Sequence, residues 1–142
     1  MVDFIDSFNK GIEAAKKAEH NKDEIDSVIE AMNVQLGNVS AGKVKVEIKL
    51  KTNPLADFFA SAAKTPVKGS YWAVVAYNPL AESSSPKELA RWKSDPNGYP
   101  CEIITDAGDV YCEDKIALEK AFNFMLGTPD VGKKLLAVMN QK

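Results

Sequence analysis

The nine residues K-V-K-V-E-I-K-L-K from Lys43 to Lys51 alternate without a break. Successive side chains leave a strand on opposite faces, so Val44, Val46, Ile48 and Leu50 share one face and Lys43, Lys45, Glu47, Lys49 and Lys51 share the other. A chain that holds such a strand must build a sheet shielded on one side. Its other strong patterns repeat at helical spacing, so the shield is helical and the expected class is α+β.

At 142 residues the chain has the size of one domain, and one core that buries roughly 68% of the unfolded surface suffices for it. A single domain over residues 1–142 is therefore expected. No apolar run approaches the ~18 residues of a membrane-spanning helix. Met1-Val2-Asp3-Phe4-Ile5-Asp6 also lacks the basic-then-apolar order of a secretion signal. The expected location is the cytoplasm, with no membrane partner.

Charge narrows the partners. The net charge is −2, and the 18 basic residues include a single arginine, Arg91. Nucleic-acid readers rely on arginine forks and a basic surface, so a nucleic-acid partner is not expected. The lysine side of the 43–51 strand reads instead as a wet sheet face that also discourages edge pairing. The lone histidine, His20, lies among alternating charges and reads as a solvated helix residue.

Helical spacing of Phe4, Ile5, Phe8, Ile12 and Ala15 predicts a first helix over about 2–18, with its narrow apolar stripe lying on the domain. Asn21 and Glu24 have the spacing of a capping pair, and Ile25, Val28, Ile29, Met32 and Leu36 then predict a second helix over about 22–36. After the strand, Asn53-Pro54 opens a short crossover helix that ends before Pro66. The segment 70–77 is apolar at both parities, as in a central strand covered on both faces. Strand, helix and strand in that order predict a parallel pair.

Pro79, Pro86, Pro96, Asn97-Gly98 and Pro100 make 78–100 the longest irregular connection, interrupted by a short helix that Ser85-Pro86-Lys87-Glu88 would cap. Cys101–Thr105 and Asp109–Cys112 then bracket a hairpin turn. A turn centred between Asp106 and Ala107 sets Cys101 opposite Cys112, whereas a three-residue loop through Gly108 puts them on different faces. Free thiols are expected in a reducing compartment. Two C-terminal helices follow, one opened by Glu113 and Asp114 and one by Thr128-Pro129. The expected architecture is a mixed sheet of about four strands, two N-terminal helices, a short crossover helix and two C-terminal helices.

Catalytic motifs are absent. Gly127-Thr128-Pro129-Asp130-Val131-Gly132-Lys133 has the spacing of a phosphate loop, but Lys134 stands where a magnesium-binding hydroxyl belongs and Pro129 removes an amide. It reads as a helix-to-helix turn. With one His and two Cys, a structural zinc site lacks ligands. Asp106, Asp109, Glu113 and Asp114 lack calcium-loop order and are accounted for by turns and capping. No metal, no cofactor and no catalytic residue is expected.

The remaining candidate is the 78–100 connection, where Arg91, Trp92, Lys93, Asp95 and Tyr99 lie close in sequence. Aromatic residues and arginine concentrate binding energy at interfaces, and long connections on rigid scaffolds carry function. The same residues also fit a structural reading, with Trp92 anchored in the core and Arg91 paired locally. The leading expectation is a small non-catalytic protein that binds another protein, such as an inhibitor, immunity factor or accessory subunit of bacterial or phage origin. The alternative is a small-molecule-binding domain or minor enzyme with a pocket between the sheet and the 78–100 connection, walled by Tyr71, Trp72 or Tyr77.

Overall fold

A computed structural model describes residues 2–52 and 70–142. Among these residues the chain runs α1 (Phe4–Val39), β1 (Lys45–Lys51), β2 (Tyr71–Tyr77), β3 (Lys87–Ser94), β4 (Cys101–Thr105), β5 (Gly108–Cys112), α2 (Lys115–Leu126) and α3 (Pro129–Met139). The class is α+β, with one five-stranded sheet in the order β1-β2-β3-β4-β5 and every neighbouring pair antiparallel.

Several expectations are corrected. The mixed sheet of four strands is an antiparallel sheet of five, and β1 pairs with β2 antiparallel rather than parallel. The short helix expected after Ser85 is a strand, β3, hydrogen-bonded on both sides. Lys87, Glu88, Leu89 and Ala90 favour helices in isolation, but two neighbouring strands satisfy the backbone and the alternation of Ala90 and Trp92 with Arg91 and Lys93 suits a sheet. The 78–100 stretch is consequently two shorter connections around β3. The two N-terminal helices are one helix of 36 residues. The expected crossover helix at 53–66 lies outside the described residues.

Register decides what each strand buries. Val46, Ile48 and Leu50 oppose Ala76, Val74 and Trp72, Trp72 opposes Trp92, and Trp92 opposes Ile103. These side chains share the inner face. Val46, Val74, Ala90, Trp92, Cys101, Ile103 and Cys112 meet Leu118, Phe122 and Met125 of α2, Val131 and Val138 of α3, and Ile25 and Val28 of α1 in one buried cluster. β2 is buried at both parities from Ala73 to Ala76, as its apolar sequence requires. The cover thins along the strand: Val44, just before β1, and Val46 are buried while Leu50 is exposed.

Side-chain amides fasten the periphery. The Asn33 amide donates to the Val46 carbonyl and its oxygen accepts from the Val46 N–H, both at 2.8 Å, so α1 supplies β1 with a pair of ladder-like bonds at the sheet edge. The buried Asn78 donates to the carbonyls of Val138 and Gln141 at 3.3 and 3.4 Å. Gln141 in turn bonds both backbone groups of Ser85. The end of α3 thereby holds the 78–86 connection in place.

Candidate functional site

The five residues singled out from the sequence sit within ten positions of one another but do not converge on one surface. Trp92 points inward, is only 6% exposed, and stacks on Phe122 with ring centroids 6.3 Å apart and planes within 3°. It is a core residue. Arg91 and Lys93 point to the outer face of β3 and are exposed. The Arg91 guanidinium lies 4.2 Å from the Tyr71 ring centroid, a cation–π contact. The Tyr71 hydroxyl donates to Glu88 at 2.6 Å, and that hydrogen bond holds the phenol pKa above its ordinary value.

Asp95 and Tyr99 belong to the turn between β3 and β4. Asp95 closes the turn: its carboxylate accepts from the Asn97 N–H at 2.9 Å and its carbonyl accepts from the Gly98 N–H at 2.8 Å. Tyr99 reaches across to α1, where its hydroxyl donates to Glu24 at 2.9 Å. Burial first, and the Glu24 hydrogen bond second, push its pKa far up. The residues proposed as pocket walls also divide, since Trp72 shares the inner face with Trp92 while Tyr71 lies on the outer face with Arg91.

The turn rests against the middle of α1. Asn21 donates to the Asn97 carbonyl at 2.9 Å, and Gly98 sits so near that an added Cβ would meet the Asn21 Cβ at 2.7 Å. An open groove of ≈ 700 Å³ lies beside this contact, with Ala14, Ala18 and Glu24 of α1 on one wall and Tyr99, Tyr111 and Asp114 on the other. N-terminal to it, α1 leaves the body. Every residue from Val2 to Lys17 is exposed, and Ile25 is the first buried residue of the helix.

The N-terminal stripe therefore does not lie on the domain as its sequence led one to expect. Phe4, Ile5 and Phe8 are 72%, 71% and 66% exposed, and Val2 and Ile12 are exposed with them. The reason is angular. At about 100° per residue, the 17 positions from Phe8 to Ile25 place the two side chains about 100° apart around the helix axis. One straight helix cannot turn both stripes to the same body. The sequence signal was present in that change of phase, which reads equally as the end of one helix and the start of another.

Polar chemistry is sparse. His20 is exposed and lies 3.7 Å from Glu24. The Asp114 carboxylate caps α2 by accepting from the Ala117 N–H at 2.8 Å. Among the described residues no helix is long and apolar enough to cross a membrane. No protein-family model, curated protein or solved structure matches this chain.

Proposed function

We propose that this chain is a small non-catalytic cytoplasmic protein that acts by binding another protein, in the manner of an inhibitor, immunity factor or accessory subunit, and that it does so through the first turns of α1. The observation that carries this reading is the exposed stripe Val2, Phe4, Ile5, Phe8 and Ile12 on a helix whose second half is packed. Two phenylalanines of ~200 Å² at about 70% exposure leave roughly 280 Å² of ring in water, worth about 7 kcal/mol if buried, before the costs of association. Scattered apolar residues on a surface need no explanation, whereas a stripe spaced for one helix face does. The expectation that Trp92 anchors the partner gives way in this reading, since Trp92 is committed to Phe122.

A photoreactive phenylalanine analogue at position 8 tests the proposal in cells of the source organism. One discrete protein species is expected to be joined to the chain at position 8 and to disappear when Phe4 and Ile12 are changed to Ser. Adducts with no protein, or adducts indifferent to those changes, would remove the stripe as a binding surface.

A further inference from the structure

The exposed half of α1 carries enough information to name what covers it. We propose that the occupant is a second copy of this chain, laid antiparallel along the same helix about a two-fold axis beside Lys10. This deepens the proposed function and rests on it, because it takes the stripe to be a protein-binding surface.

Spacing is the first argument. Ile5, Phe8, Ile12 and Ala15 follow the three-and-four alternation of a helix that pairs with another helix. Antiparallel pairing about Lys10 opposes Phe8 to Ile12 of the second copy and Ile5 to its Ala15, so each layer of the seam is filled, the outer ones by a large residue against a small one. On one flank, Phe4 meets Ala18 of the second copy at the edge of the groove that Ala14, Ala18 and Tyr99 line. The contact is isologous and closes on itself.

Gly11 supplies a second argument. It lies in the interior of an exposed helix, where glycine costs about 1 kcal/mol relative to alanine, and a Cβ built on it meets nothing within 4 Å. Among the described residues nothing requires glycine there. In the antiparallel pair each Gly11 lies on the flank of the seam that carries Phe4 and Ala18, one residue from the two-fold axis, where the missing side chain lets the second helix approach.

Charge supplies the third. The exposed half begins with Asp3 and Asp6 and carries Lys16 and Lys17 about three turns later. Asp6 lies 3.1 Å from Lys10 of its own helix; an antiparallel copy brings Lys16, on the rim of the seam, to the acidic end of the other helix and opposes the helix dipoles, whereas a parallel copy sets acid on acid. A lipid surface fits less well, because interfacial helices carry a lysine-rich polar face and this one alternates Asp6, Lys10, Glu13, Lys16 and Glu19. The apolar stripe and the stems of Lys16 and Lys17 offer roughly 600–800 Å² per copy, the lower end of what a stable dimer buries.

The test is the mass of the full-length chain in solution, followed by sedimentation from about 1 µM to about 500 µM, a range that brackets the micromolar affinity such an interface supports. The mass is expected to rise from 15.5 kDa toward twice that value. Phe8→Asp, which opens no cavity because Phe8 is exposed, is expected to hold the chain at monomer mass at every concentration, with the thermal transition of the dilute wild-type chain. Asp6→Lys is expected to weaken pairing about tenfold, since two-fold symmetry counts each contact twice, and adding Lys16→Asp is expected to restore most of it.

A wild-type chain that stays monomeric throughout, a Phe8→Asp variant that pairs like wild type, or no rescue by the second charge change would overturn the antiparallel dimer. So would Phe8-dependent flotation with anionic-lipid vesicles in place of self-association. A monomeric chain that still crosslinks from position 8 to a different protein removes the self-pairing and leaves the binding reading standing; crosslinking to nothing removes both.

Discussion

Burial keeps the thiols of the β4–β5 hairpin protonated. Desolvation, with the neighbouring Cys112 as a lesser cause, pushes the Cys101 pKa up to about 12 from an ordinary 9.0, and burial raises Cys112 as well. Both groups are acids whose pKa is higher folded than unfolded, so the unfolded chain releases its thiol protons first as the pH climbs. The stabilisation from keeping them neutral is whole below about pH 9 and is lost from there upward through about pH 12. The urea midpoint is expected to stay level between about pH 6 and about pH 8 and to fall steeply above about pH 9. A Cys101→Ala variant should show a shallower fall, and a wild-type midpoint that held flat to about pH 11 would contradict thiols buried in this way. The hairpin register that sets Cys101 opposite Cys112 was one of two readings open in the sequence. Only the second ran the turn through Gly108, and the pairing of Thr105 with Gly108, glycine at φ 136°, decides for the first.

At the scale of elements, most of the fold was legible and the boundaries of purpose were not. The 43–51 alternation, the apolar 70–77 run, the hairpin and the two C-terminal helices all form where their patterns place them, because each buries its own apolar face. Failures came where local and tertiary signals conflict. Ser85-Pro86-Lys87-Glu88 reads as a helix start, yet β3 forms because strands wait on both sides of it. Asn21 and Glu24 read as a helix cap, yet within α1 they bond outward to Asn97 and Tyr99. The candidate site was less legible for the same reason, since exposure of Phe4 and Phe8 depends on which way a later segment turns the helix.

Asn97-Gly98 was visible as a turn, but its seat on α1 was not. Gly98→Ala is expected to cost about 2–4 kcal/mol, combining left-handed backbone strain with a clash against the helix. Gly98 has φ 93°, and the clash falls on Asn21, including its carbonyl carbon at 3.3 Å. Denaturant midpoints measure this loss, with Asn97→Ala as the comparison that spares the backbone, since only the Asn97 carbonyl bonds α1. A change within about 0.5 kcal/mol would mean that the turn does not clamp the helix.

For the whole molecule, α1 is continuous in geometry but divided in support. Its 36 residues extend about 54 Å, and only the part from Ile25 onward buries side chains. A helix of about 15 residues without tertiary contacts is marginal in water. Amides of residues 4–18 are therefore expected to exchange with solvent orders of magnitude faster than those of residues 25–36 when the chain is dilute, despite the Asp3 cap that accepts from the Ile5 N–H at 3.0 Å. A second copy changes this balance, because docking of the stripe couples helix formation to association. Protection across residues 4–18 should then rise with protein concentration while protection across 25–36 stays constant, and Phe8→Asp should abolish the rise. Hydrogen exchange at about 1 µM and about 200 µM measures both regions in one experiment. Uniform protection from Phe4 to Val39 in the dilute chain would show that the first half of α1 finds its support within a single copy, and the stripe would lose its claim on a partner.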